Sequence, residues 1–209
     1  KEVLPTVRQP SDRQELVQLW VTAEPSAALG ALNEVVPAQG REAVLSRLLP
    51  MAVAADPASA VAAVSGIRDP VLRAKTIADI GVQWSSRDPE NALNWAVSLS
   101  PGGEQTAAIR SVYQVWSGNQ FNSAKASLER LNSIQRDQAL VGIIHERMNT
   151  SVAQAADLGL MVFDSLTRAE LLDSVFQRWG RSNPAQAKSW VEQSNLPESL
   201  RDQLKARIP

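Results

Sequence analysis

The chain has 209 residues, 44% of them apolar and 21% charged, with 21 basic against 22 acidic side chains and a net charge of −1. That balance suits a folded protein and excludes a nucleic-acid binder working through a basic face. There is no cysteine, which removes disulfides, thiol catalysis and thiolate metal sites, and no apolar run reaches the ~18 residues of a membrane span.

Residues 1–10, KEVLPTVRQP, carry two prolines and no periodicity, and read as an extended arm. A helix is predicted from Ser11 to about Ala23, because Ser11-Asp12-Arg13-Gln14 matches a capping box. Six helix pairs follow. The first is Pro25–Val35 with Arg41–Ala54, the second Pro57–Ser65 with Pro70–Ser85, and the third Pro89–Ser98 with Glu104–Ser117. The fourth is Asn122–Leu131 with Ile134–Asn149, the fifth Val152–Phe163 with Arg168–Arg181, and the sixth Pro184–Gln193 with Glu198–Arg207. The last helix is polar on much of its surface, as a terminal cap would be. No alternating run with hairpin turn chemistry competes with this reading.

The pairs share a register. Glu24-Pro25, Asp56-Pro57 and Asp88-Pro89 are 32 residues apart, and the series continues through Phe121 and Val152 to Asn183-Pro184 with one step of 31. An acid or amide before the first turn is an N-cap, and proline in that turn loses nothing by lacking an N–H. Three residues past each anchor stands an alanine: Ala28, Ala60, Ala92, Ala124, Ala155 and Ala187. Before each anchor a second series runs Trp20, Ala52, Trp84, Trp116, Met148, Trp179, which puts the missing residue in the Asn149–Ser151 turn. A third is Leu45, Ile77, Ile109, Val141, Leu172. A fourth is arginine at the start of the second helix: Arg41, Arg73 and Arg168, with Arg136 one residue early and Arg201 one late. A unit that cannot bury its apolar face alone completes its core by stacking on a neighbour.

Asp69-Pro70-Val71-Leu72-Arg73-Ala74 resembles the start of a HEAT-like helix. The cassette running from Trp84 through Asp88-Pro89 and Ala92 to Trp95 is similar to degenerate helical repeats of bacterial proteins. The chain thus resembles TPR-like and HEAT-like proteins over about residues 11–207, with units shorter than the 34 residues of a TPR and without its LG and Tyr positions. The resemblance implies an all-α fold: a right-handed α-α superhelix, or solenoid, of about six helix–turn–helix repeats of 32 residues plus an N-terminal helix. It forms a single domain over residues 11–209.

No catalytic residue, cofactor or metal site is expected. His145 is the one histidine. It lacks a G-x-S-x-G partner motif, and His145-Glu146 is not followed by a second His at position 149. Phosphate-binding glycine motifs are absent. Asp56, Asp88 and Glu24 are explained as caps, and the six tryptophans as core. Arg41, Arg73 and Arg168 sit where the helix dipole disfavours them, so they are expected to pair with carboxylates or carbonyls between units. One strip remains for recognition. Tyr113, His145 and Phe176 fall at matching positions on consecutive second helices, beside Gln114, Glu146 and Gln177, and together they suit a peptide.

The expected function is non-enzymatic: binding or scaffolding a protein or peptide on the repeat surface. The alternative is an accessory superhelical domain of a larger envelope enzyme. Partners are protein, not nucleic acid. The start at Lys1 and the absence of cysteine lean toward a bacterial periplasm or cell envelope over the cytoplasm, with a segment removed upstream.

Overall fold

A computed structural model describes residues 19–21, 23–36 and 40–209, with the side chains of 33–35 excepted. The extended arm and most of the first predicted helix lie outside these residues; 19–21 are helical. Twelve α-helices follow among the described residues: α1 Pro25–Val35, α2 Arg41–Ala52, α3 Pro57–Ala63, α4 Pro70–Ser85, α5 Pro89–Ser98, α6 Gly103–Asn119, α7 Phe121–Ser127, α8 Ser133–Thr150, α9 Val152–Gly159, α10 Ser165–Ser182, α11 Pro184–Gln193 and α12 Glu198–Lys205. Short 3₁₀ turns extend α3 and α7, over Val64–Gly66 and Leu128–Arg130. The described residues contain no strand.

The chain divides into two compact bodies between Val112 and Tyr113, inside α6. In the N-terminal body α1 packs on α3 and α2 on α4; in the C-terminal body α8 packs on α9, α9 on α10 and α10 on both α11 and α12. The N-terminal core is built on Leu48, Leu49, Ile77, Ile80 and Ile109, and the C-terminal core on Trp116, Leu140, Ile143, Leu172 and Phe176. Gly81 is needed where α4 meets α6, because a Cβ there would collide with the Ser111 hydroxyl. Gly180 is needed for the same reason under the backbone of Arg207.

Each pair is entered through the same junction. Glu24, Asp56, Asp88, Gln120, Ser151 and Asn183 all lie at φ between −138° and −157° and ψ between 66° and 89°. Each donates its N–H to the carbonyl four residues back, at 2.7–2.9 Å. Each carbonyl in turn accepts from the alanine four residues on, at 3.0–3.2 Å. One residue therefore ends one helix and starts the next. Asp56, Asp88 and Asn183 add a side-chain cap on the amide three residues later, whereas Glu24, Gln120 and Ser151 do not. The geometry survives without the side-chain cap and without proline, so packing sustains it. All six alanines are 0% exposed.

These bonds fix the register. The junction acceptors are Trp20, Ala52, Trp84, Trp116, Arg147 and Trp179, so Arg147, not Met148, stands at the fifth position. The missing residue then falls between Ala124 and Arg136, in the α7–α8 connection, and not in the Asn149–Ser151 turn. Arg136 comes into register, and Leu140, 0% exposed, takes the place given to Val141. The exchange at Arg147 has a physical basis. Its guanidinium lies 4.8 Å from the centroid of Phe121, which holds the proline position of the same junction, and donates to the Ser117 carbonyl at 2.9 Å. A cation on an aromatic face replaces the tryptophan. Five tryptophans pack on one another or on a neighbouring ring: Trp84 on Trp95 at 5.7 Å, Trp179 on Trp190 at 6.3 Å, and Trp116 on Tyr113 at 5.8 Å.

The buried alanine leaves no room for a larger group. Ala124→Leu is expected to destabilise the protein by about 1–3 kcal/mol through overpacking, while Ala126→Leu, exposed on the same helix, stays within about 0.5 kcal/mol. Urea midpoints of the two variants check this, and equal effects would contradict it.

Candidate functional site

The arginine series is structural. Arg41 donates to the Val36 carbonyl at 2.9 Å, Arg73 to Ile67 at 3.1 Å, Arg136 to Leu128 at 3.2 Å, Arg168 to Val162 at 3.0 Å and Arg201 to Leu196 at 3.3 Å. In the third pair Gln105 fills the position, and its amide reaches the Leu99 carbonyl at 2.7 Å and Val97 at 3.1 Å. Every second helix thus carries, in its first turn, a side chain that binds the carbonyls left open at the end of the first helix. These bonds lie within a pair, and Arg73 also reaches between pairs to Glu104, at 2.6 Å.

The corrected register rearranges the six candidate residues. Tyr113 now aligns with Ile144 and Phe176, and all three are 0% exposed. The Tyr113 hydroxyl is spent on Ser127 Oγ at 2.6 Å, and Phe176 is sandwiched by Trp179 and Trp190. Neither ring offers a face to a partner. His145 aligns instead with Gln114 and Gln177, and these three are exposed. Gln177 Nε2 donates to Asp173 Oδ2 at 3.0 Å. Glu146 is half-buried, its carboxylate lying against Gly118. The earlier members of the His145 series are Pro50 and Val82.

One groove in each body follows this series, while two others, of about 300 Å³ beside Val61, Trp95 and Glu104 and of about 370 Å³ beside Asn122, Glu129 and Met161, lie off it. In the N-terminal body a groove of about 400 Å³ runs between α2 and α4, with Ser46, Arg47 and Pro50 on one wall and Asp79, Val82 and Gln83 on the other. In the C-terminal body a hollow of about 500 Å³ opens on α10, lined by Ser174, Gln177, Arg178, Arg181 and Ser182. Ser174, Gln177 and Arg178 stand at the register positions of Asp79, Val82 and Gln83. Both openings lie on the same face of a second helix.

Pro50 lies inside α2 and lines the first groove. Pro50 has no N–H, so the Ser46 carbonyl has no donor at its usual helical position. Ser46 and Pro50 are both among the residues that line the groove. The Ser46 hydroxyl is already taken, accepting from Thr76 Oγ1 at 2.8 Å.

Several carboxylates are tied to the backbone. Asp137, 5% exposed, accepts from the amides of Phe163 and Asp164, both at 2.8 Å. Glu42 accepts from the Asp69 amide at 3.1 Å. Hydrogen bonds from Ser59 hold Asp56 below the usual carboxylate range, and those from Thr167 do the same for Asp164. Burial pushes Asp173 upward, but bonds from Arg207 and Gln203 outweigh it and its pKa too is lowered. Among the described residues no group of three His, Asp or Glu stands where it could hold a metal ion, and no helix is long and apolar enough to cross a membrane.

Comparison with protein-family models, curated proteins and solved structures finds no match.

The lowered carboxylates make stability depend on pH with a definite sign. In the unfolded chain these groups titrate near 3.9. Their contribution is full above that range and is lost as pH falls through the lower folded values. Asp56→Asn with Asp164→Asn keeps a capping side chain at both positions. The fall in the urea midpoint between pH 6 and pH 3 is expected to be shallower in this double variant than in the wild type. An equal or steeper fall would show that the caps do not supply it.

Proposed function

We propose that the chain is a helical-repeat binding module that holds a protein or peptide segment along the exposed face of its second helices, without chemistry of its own. The observation that carries this reading is the coincidence of the two grooves with one register position: Val82 and Gln83 in one body, Gln177 and Arg178 in the other. The recurring junctions support an array in which each pair repeats the contacts of the last, as in a solenoid. Such arrays present an extended surface that tolerates varied side chains, because buried alanines and carbonyl-binding arginines hold the frame.

The groove chemistry favours a polar, extended segment. Ser46 and Pro50, which lack the usual helical hydrogen bond between them, line one groove, while Arg47, Arg178 and Arg181 are exposed and able to reach carboxylates or backbone carbonyls, Arg178 by leaving its bond to Asn149 Oδ1 at 2.9 Å. Gln83 and Gln177 supply both donor and acceptor. This is the inventory that a peptide backbone needs. The buried rings of Tyr113 and Phe176 contribute by holding the helices that display it.

Selection from a displayed library of random peptides tests the proposal. Binders are expected to crosslink to benzoylphenylalanine placed at Gln83 or Gln177, and not at Asn94 or Lys188, which are exposed on first helices. Arg178→Glu is expected to weaken peptides captured at Gln177 by about tenfold, which is 1.4 kcal/mol. Binders that crosslink equally at all four positions, or that ignore Arg178→Glu, would contradict it.

A further inference from the structure

Exposed apolar side chains gather at one edge of the C-terminal body. Ile134 is 72% exposed, Phe163 80%, Leu166 67% and Met161 47%. Their proximity follows from Asp137. Its carboxylate binds the amides of Phe163 and Asp164, and Ile134 lies one turn before it on the same side of α8. Asp164 caps α10 through the Thr167 amide at 2.7 Å, which brings Leu166 into the first turn beside Phe163. Phe163 precedes the cap, where an apolar residue often staples to the fourth helical position. That position is Arg168, whose guanidinium is bound to the Val162 carbonyl, so Phe163 staples to nothing and stands in water.

We infer that this edge is a self-association surface: the Ile134, Phe163 and Leu166 patch of one chain covers the same patch of a second copy. Two features select a copy of the chain as the occupant. The first is area. These three side chains leave roughly 400 Å² of apolar surface in water. An ordinary interface hides about 800 Å² per partner, a little over half of it apolar, so the patch supplies what one side of a two-fold dimer needs. The second is charge. Arg136 and Arg168 flank the patch with their guanidinium groups on backbone carbonyls, and Asp137 and Asp164 flank it with their carboxylates on backbone amides. The four cancel, so no net field opposes an identical face. A two-fold interface requires such self-complementarity.

The inference is independent of peptide binding, since the patch lies at the entry ends of α8 and α10 and the hollow proposed to hold peptide is lined from Ser174 onward. Sedimentation velocity of the protein from about 1 to 100 μM, the range in which a small interface is half occupied, is expected to show a monomer–dimer equilibrium. Phe163→Ser with Leu166→Ser should raise the dissociation constant at least tenfold and leave the helical circular dichroism and melting temperature unchanged. Val71→Ser, at the register position of Ile134 and Leu166 but in the other body and 78% exposed, should leave the dimer intact. A monomer throughout, a double variant that still dimerises, or a dimer lost equally in Val71→Ser would each overturn the inference. Capture of a different protein by a monomeric chain at this patch would overturn it as well.

Discussion

Six alanines without solvent exposure hold this structure to its plan. Each lies one turn into a first helix, and its N–H bonds the carbonyl of the residue that also ends the previous helix. The junction brings two helices together with almost no loop between them, and only a methyl group fits where they meet. A larger residue would force the helices apart; glycine would lose helical propensity. Once the junction is set, the second helix returns and its first turn must meet the end of the first. There an arginine, or Gln105, binds the exposed carbonyls. Burial, helix ends and turn chemistry thus point to one arrangement, the agreement across levels that allows a sequence to specify a fold.

That division of labour bears on function. Capping arginines and stacked tryptophans are consumed by the frame, so they are poor candidates for recognition despite their chemistry. One series on the first five second helices stands apart from the frame: Pro50 and Val82, half-buried, and Gln114, His145 and Gln177, exposed. These vary in kind where the frame positions do not. Variation at one register over a constant scaffold suits a surface that reads different parts of a long partner, and it gives the binding proposal its internal logic.

Much of the fold was legible because helix boundaries here are written in local chemistry. Asp88-Pro89 and Asn183-Pro184 start helices where expected, and α1, α4, α5 and α11 have the predicted limits. The first helices of pairs two, four and five are shorter than their apolar patterns suggest. Their ends tighten into 3₁₀ turns at Val64 and Leu128 or stop at Gly159. The candidate strip failed on one residue of register. An even spacing of 32 residues places Met148 opposite Trp116. The true counterpart is Arg147, whose stem and guanidinium cover Phe121. A charged residue doing an aromatic residue's packing leaves no hydrophobic signal. Neither Asp137 binding two distant amides nor the groove lined by Pro50 has a sequence signature, since both depend on chain segments brought together by folding.

Excision of one complete period tests the central claim, that equivalent junctions make the helix pairs interchangeable. Removal of residues 57–88 joins Asp56 to Pro89, restoring the acid–proline junction and placing Ala92 four residues after the new cap. The shortened protein is expected to stay helical and to unfold cooperatively in urea, with a smaller m-value in keeping with the lost surface. Removal of residues 73–104, equal in length but cut within two second helices, should give the same outcome if register alone matters, since Gln105 then replaces Arg73 on the carbonyls of Ile67. Removal of residues 65–88 breaks the register and should abolish the cooperative transition. Cooperative folding after the out-of-register cut, or its loss after both in-register cuts, would contradict the account.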